Sequence, residues 1–262
     1  MHQKQPPAKI AVRVADGAGS ARTGCATMKT ANNKANFRIP VRQHICRNVR
    51  FVTLLRMRGR AHLHQNKAAI EFVPDSIVEQ LNFREIFGHD APVEVDLGCG
   101  DGTFLAAMAE QNPDRNFLGI ERLRGRVGSV CRKIARSNLE NVRILRMENS
   151  YAVAQLLPAS AISAFHVLFP DPWPKRRHHR RRLFSAEFFD AIDRALEWNG
   201  LLHLATDDAD YFRSIYKMIT TKPSFSISKE PIEFPMTAFE QKLAANGAPI
   251  QRLLLRKVSP VR

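Results

Sequence analysis

The chain has 262 residues, with 40 Lys/Arg, 25 Asp/Glu and a net charge of +15, long enough for one large domain with a sizeable core and a tail. The excess sits in residues 1–70, where fourteen Lys/Arg face the single acid Asp16, while the remainder is near balance with 26 basic and 24 acidic residues. This asymmetry points to a polyanionic partner, nucleic acid ahead of an anionic membrane surface.

Met1 to Pro7 is polar, unlike a secretory signal, and no apolar run reaches the roughly 18 residues a membrane span needs. The Arg-rich, acid-poor opening also matches the composition of an organellar transit peptide. Cys25, Cys46, Cys99 and Cys131 are scattered without a C-x-x-C pair. That argues against a structural metal site and for free thiols in the cytoplasm.

In chain order, residues 1–36 lack a sustained period and are expected to be a disordered basic tail, with Met28 and Met57 as alternative starts. Residues 37–91 read as a basic N-terminal lead-in. A regular pattern begins at residue 92. Val93–Leu97 reads as an apolar strand ending in glycines, and Thr103–Gln111 as a helix stopped by Asn112-Pro113. Asn116–Ile120 is a second strand, Gly125–Ser137 a basic amphipathic helix, Val142–Met147 a third strand and Ile162–Phe169 a fourth. Ser185–Trp198 is expected to be a helix capped by Asn199-Gly200, then Leu201–Ala205 a strand and Ala209–Thr220 a helix. Phe225–Lys229 and Ile250–Lys257 are expected to pair as a C-terminal antiparallel hairpin. Strands alternating with helices predict an α/β fold: a mostly parallel, twisted, Rossmann-like sheet covered on both faces. In such a sheet a ligand lies beyond the carboxyl ends of the strands.

Two motifs fall at such ends. The first, Glu94-Val-Asp-Leu-Gly-Cys-Gly-Asp-Gly102, runs from a strand into Gly-x-Gly-x-Gly, and the next strand ends at the acid Glu121. Glycines let a ligand approach the main chain, and carboxylates at strand ends can accept from ribose hydroxyls or an amino group. Asp101 stands where a dinucleotide would place its pyrophosphate. A cofactor without phosphate, such as S-adenosyl-L-methionine with its cationic amino-acid end, fits better. The second motif, Phe169-Pro-Asp-Pro-Trp-Pro174, is a proline-locked turn followed at once by six Lys/Arg and two His up to Arg182. An acid, a flat aromatic and a dense positive patch suit a base attached to a phosphate backbone.

Together these blocks resemble the bacterial tRNA (guanine-N7)-methyltransferases, class I enzymes dependent on S-adenosyl-L-methionine. A third block, Ala205-Thr-Asp207 followed by Thr237-Ala-Phe-Glu240, completes the match, which covers about residues 70–258. The resemblance makes residues 92–262 the methyltransferase domain, and it implies methyl transfer to N7 of a guanosine in the tRNA variable loop, with S-adenosyl-L-homocysteine as product. It assigns Asp171 as the catalytic residue, also near the cofactor. It places Glu94, Asp96, Gly98, Gly100, Glu121 and one or both of Glu148 and Asn149 on the cofactor. Lys175, Asp207, Thr237, Phe239 and Glu240 would contact the guanosine nucleotide. Expected partners are tRNA, with no membrane and no metal, as a monomer or homodimer in the cytoplasm.

Two other classes remain open: a methyltransferase acting on an exocyclic amine of another base, and an RNA-binding module without catalysis. The residues also carry plainer readings. Asp207-Asp208 can cap a helix, and Thr237-x-x-Glu240 has the spacing of a capping box.

Overall fold

A computed structural model of the chain describes residues 70–229, 231 and 233–258. The tail 1–36, most of the lead-in, and Cys25, Cys46, Met28 and Met57 lie outside the described residues. An eight-stranded sheet forms the centre. Its strands are β1 (Glu71–Phe72), β2 (Val93–Leu97), β3 (Asn116–Ile120), β4 (Val142–Leu145), β5 (Ile162–Leu168), β6 (Leu196–Thr206), β7 (Phe225–Ile227) and β8 (Gln251–Lys257), in the spatial order β1-β4-β3-β2-β5-β6-β8-β7. Only β8 runs antiparallel to its neighbours, β6 and β7. The mostly parallel sheet and the antiparallel C-terminal pair are those the sequence predicts.

The pleat explains the two-sided cover. β2 and β3 are buried along their whole length, so both of their faces need partners. Phe117, Val142 and Ile144 pack with Phe104, Leu105, Val130 and Ile134 of α2 (Thr103–Gln111) and α3 (Arg124–Arg136). Leu118, Ile120, Phe165 and Val167 join Ile86, Leu156, Phe189, Ile192 and Ile215 on the other face. That second layer comprises α1 (Phe83–Phe87), the turn of α4 (Asn149–Tyr151) with its π-type continuation Ala152–Leu156, α5 (Ala186–Ala195) and α6 (Ala209–Ile219). Each fully buried Phe, Leu or Ile in these layers contributes about 1.5–3 kcal/mol.

The chain crosses over at one place. From β2 it builds outward through β3 and β4, then returns to lay β5 against the other side of β2. Ligand crevices open at such reversals, outside the carboxyl ends of the strands.

Most boundaries fall within two residues of expectation; the largest difference is at the end of α5 and the start of β6. The helix predicted to reach Trp198 ends at Ala195, and Leu196 already starts β6. The pairing slips between Ile162↔Leu196 and Ala164↔Leu201, so Leu196–Gly200 carries a bulge with Asn199 at φ +64°. Buried Lys257 fixes this turn by donating to the Leu196 carbonyl at 2.8 Å while lying 3.3 Å from the Asp193 carboxylate. A partner 61 residues away in sequence, not local propensity, decides the boundary.

The glycine turn after β2 carries a measurable constraint. Gly102 sits at φ +72°, and a Cβ there would lie 2.6 Å from Val130 Cγ1, at the α2–α3 contact. Gly102→Ala combines left-handed strain with overpacking. It should lower unfolding free energy by about 2–4 kcal/mol, read as a shift in the denaturant midpoint at constant m. An unchanged midpoint would show that the helix contact is loose.

Candidate functional site

The carboxyl ends of β2, β3, β4 and β5 enclose a cleft of about 630 Å³. Leu97 and Gly98 form its floor, Glu121, Arg122 and Arg126 one wall, Glu148–Ser150 a second, and Leu168–Asp171 with Trp173 and Arg180–Leu183 a third. The glycine turn and the proline turn therefore open into the same space, because β2 and β5 are hydrogen-bonded neighbours, with Asp96 opposite His166.

The side formed by the glycine turn and the end of β3 is acidic. Gly98 and Gly100 take φ +80° and +59°, backbone that side chains rarely adopt, and the Asn149 amide lies 3.6 Å from where a Gly98 Cβ would stand. Glu121 is 4% exposed; its Oε1 accepts from the Leu123 amide at 2.9 Å, and Arg126 approaches Oε2 at only 3.7 Å. Glu148 caps its helix, accepting from the Tyr151 amide at 2.8 Å. Asp101 accepts from the Thr103 amide and hydroxyl at the start of α2 and pairs with Lys133, filling the place a pyrophosphate would need. Asp96 is buried among these acids. Burial first, then the charges of Glu121 and Asp101, push its pKa up to about 8. Because this lies above the ordinary 3.8, ionising Asp96 lowers folding stability progressively as pH rises from about 4 to 8. Such a site favours a cation.

Glu94 has protein partners on β5 and just before β3. Its oxygens are taken by Arg115 at 2.8 Å and His166 at 2.9 Å. It lies near the amino end of β2, Arg115 immediately precedes β3, and His166 stands on β5 opposite Asp96, so this ion cluster reaches from the amino end of β2 towards the cleft. Burial opposes its ionisation, but the His166 and Arg115 contacts hold its pKa below the ordinary value. Asp96, two residues further along β2, is influenced by the charges of Glu121 and Asp101. The same buried seam continues from His166 to His203, with Nδ1 atoms 3.3 Å apart and Phe234 stacked on His203 at 4.3 Å. Burial, and after it the charges of His166 and Arg252, drive the His203 pKa down to about 2 and keep its ring neutral.

The proline turn is held at both ends. Phe169 donates its amide to the Ala205 carbonyl at 2.7 Å, and Arg182 donates to the Pro172 carbonyl at 2.8 Å while lying 4.7 Å over the Tyr211 ring. Phe169 and Trp173 adopt φ +52° and +44°, a strain of roughly 1–3 kcal/mol each. Trp173 packs within the turn, under Arg181 at 4.9 Å and edge-on to His178. Asp171 projects into the cleft and is exposed.

The third block divides. Thr237 and Glu240 form a reciprocal capping box at the start of α7 (Ala238–Ala245), and Glu240, 5% exposed, is also ion-paired with Arg252. Both side chains are engaged in building the helix. What the box presents is Phe239, 49% exposed, packed edge-on at 5.1 Å against Phe169 of the cleft. At the end of β6, Asp208 caps α6 through the Tyr211 amide, and Asp207 is left exposed. Lys175 is exposed at the start of the Arg176–Arg181 3-10 turn. Phe169 was not singled out as a contact by sequence; its left-handed backbone, not its residue type, aims it. No described group of His, Cys, Asp or Glu could hold a metal ion, and no helix among the described residues is long and apolar enough to cross a membrane.

A family model described as "Putative methyltransferase" matches residues 90–253. The tRNA (guanine-N(7)-)-methyltransferase of Hydrogenovibrio crunogenus is 34% identical over 185 residues, 68% of this chain and 77% of that protein. That of Aliivibrio fischeri is 32% identical over 209 residues, 76% and 87% of the two. Among solved structures, the 16S rRNA methyltransferase KamB aligns with a TM-score of 0.49 at 18% identity, covering 68% of this chain and 93% of that one. With most of the chain and most of these relatives aligned, the chain belongs to the tRNA (guanine-N(7)-)-methyltransferase family.

Proposed function

We propose that the chain transfers a methyl group from S-adenosyl-L-methionine to N7 of a guanosine in the tRNA variable loop, releasing S-adenosyl-L-homocysteine. One observation carries this reading: the strained, proline-locked turn bearing Asp171 opens into the same cleft as the glycine turn and its ring of acids. The residues fit the cofactor. Gly98 and Gly100 leave room for close approach to the backbone, Glu121 suits ribose hydroxyls, and Asn149 beside Gly98 is better placed than Glu148, whose Oε2 is held by the Tyr151 amide. Asp96 and its acidic neighbours complement a cation. Bound there, S-adenosyl-L-methionine supplies a methyl group carried on a sulfonium. The cleft is built from one chain, so a monomer or a homodimer in the cytoplasm can carry it.

Guanine N7 is an unprotonated lone pair, so no general base is required. The chain's work is placement, which can contribute several kcal/mol (up to ~7–11) when the reacting atoms are held in line. Phe239 offers an aromatic face to the base, and Asp171 accepts from its N1–H and exocyclic amine. As positive charge arrives on the purine, those donors become more acidic and the bond to the Asp171 carboxylate strengthens. The carboxylate therefore binds the transition state better than the ground state. Lys175 and Asp207 lie exposed at adjoining strand ends, available to the nucleotide.

The direct test is incubation with methyl-labelled S-adenosyl-L-methionine and unmodified tRNA, followed by nucleoside analysis. 7-Methylguanosine is expected; label on an exocyclic amine, or none, refutes the reading. Asp171→Asn should lower kcat by roughly 10²–10³-fold while cofactor affinity stays near wild type. A variant of equal turnover would remove Asp171 from catalysis.

The raised pKa of Asp96 gives a second expectation. At pH 7 the carboxyl is mostly protonated, and a bound cation favours its ionised form. Binding of S-adenosyl-L-methionine should therefore release a proton at pH 7, and affinity should climb with pH until about 8. S-adenosyl-L-homocysteine, lacking the sulfonium charge, should release less. Titration calorimetry in two buffers of different ionisation enthalpy measures the difference; equal release by both ligands would separate Asp96 from the sulfonium.

A further inference from the structure

The cleft has a basic margin on each side, and only one of them belongs to the proline-turn motif. Arg180, Arg181 and Arg182 follow that turn. Across the opening, Arg122 and Arg126 follow β3, with Arg124 between them. The two margins differ in what already occupies their guanidinium groups. Arg182 is engaged by the Pro172 carbonyl and the Tyr211 ring, and Arg181 lies on Trp173. Arg126 leans on Glu121 at 3.7 Å. Arg122 and Arg124 are exposed, and no carboxylate lies within ion-pair distance of either among the described residues.

Their position is also unfavourable for the fold. Arg124 and Arg126 stand in the first turn of α3, which holds no acid, and its N-cap residue, Leu123, offers no side-chain cap. The positive end of a helix disfavours cations, so these arginines oppose the helix rather than support it. Arg122 lines the cleft just before this N-cap, and Arg124 stands two residues on, at the first position of α3; exposed cations so placed beside a cleft suit an external anion.

We propose that Arg122 and Arg124 form a second phosphate-binding margin, so that the tRNA strand is held by its backbone on both sides of the target nucleotide, with the base descending between the margins towards Asp171. This rests on the tRNA reading and adds to it. Guanidinium groups suit phosphate because their planar fork donates two parallel hydrogen bonds. Contacts of this type position the strand without reading its sequence. The margin after the proline turn supplies the other grip through Arg180, whose neighbours Arg181 and Arg182 hold the turn in shape.

The test is the double variant Arg122→Gln/Arg124→Gln, with Arg84→Gln on α1 as the control for general loss of charge. Binding to unmodified tRNA is measured by filter retention or anisotropy across a salt series. The double variant should bind about ten-fold more weakly at moderate salt, and its log–log salt dependence should be shallower by about 1.5, as expected for two lost phosphate contacts. The control should keep the wild-type slope. Because the removed charges oppose the helix dipole, Tm should stay level or rise. Cofactor affinity, measured on Arg124→Gln alone, should match wild type.

A wild-type slope in the double variant overturns the proposal, as does a fall in Tm with the slope unchanged, which would make these arginines part of the fold. Loss of cofactor affinity with the slope unchanged would assign them to the cofactor instead. Wild-type methylation of tRNA is scored in the same preparation. If the wild type methylates guanosine N7 and the slope does not change, the margin fails and the function stands; if the wild type binds tRNA without methylating it, the function fails and the slope still reports on the margin.

Discussion

The pairing of β2 with β5 is the constraint on which the site depends. Neighbouring strands lie about 4.8 Å apart, so turns leaving the same ends of two paired strands are neighbours whatever their sequence separation. Asp96 stands opposite His166 in this register, and the glycine turn and the proline turn begin a few residues further along each strand. Slippage by one residue would turn Asp96 and His166 to the opposite face. Across the same strands, the Arg115–Glu94–His166 cluster resists such slippage, since its buried carboxylate has specific partners on β5 and just before β3. A buried ion pair adds little net stability by itself, but breaking one leaves an uncompensated charge at a cost of about 3–5 kcal/mol. Its contribution here is to make one register far better than its alternatives.

Charge is sorted around the cleft by depth. The acids Asp96 and Glu121 lie inward, and the arginines stand at the margins. A polyanion held at those margins meets fixed cations in solvent, where salt screens the attraction within about 8 Å at physiological ionic strength. A cation held inside meets partly buried carboxylates that salt screens much less. The arrangement lets one cleft attract a positively charged cofactor and a negatively charged nucleic acid without either competing for the other's contacts. It also explains why the formal charge of the body, near balance from residue 71 onward, says little about what it binds: the two signs are separated in space, not in sequence.

The alternation of strands and helices and the positions of both turns were legible in the sequence because they follow from local patterns: apolar runs, glycines and prolines. What was not legible depended on partners far away in the chain. Leu196 leaves the helix because Ile162 and Lys257 receive it. Glu94 reads as a cofactor acid from its place in a glycine motif, and period-2 alternation puts it on the same face as Asp96; its partners Arg115 and His166 come from distant parts of the chain and leave no signal in that motif. Thr237 and Glu240 fit two descriptions by spacing alone; the structure shows the reciprocal bonds of the box and the pair with Arg252, a partner the spacing does not reveal. The aim of Phe169 had no signal at all in residue type, since an aromatic residue at positive φ is a property of the turn that holds it.

That turn shows how a stable sheet sustains an unfavourable local geometry. Two aromatic residues in left-handed backbone, four positions apart with Pro170-Asp171-Pro172 between them, would relax in an isolated peptide. They persist because Phe169 is the last rung of the β5–β6 ladder, through the Ala205 carbonyl, and because Arg182 ties the Pro172 carbonyl to the Tyr211 ring on α6. Tyr211 is itself 1% exposed and receives the Phe184 amide at its hydroxyl, so the strain is borne by the core beneath α6 and not by the loop. A carboxylate presented this way loses little further conformational entropy when a base arrives. Preorganisation of Asp171 is thus a property of β5, β6 and α6 together, and the prolines on either side of it only narrow what those elements already hold.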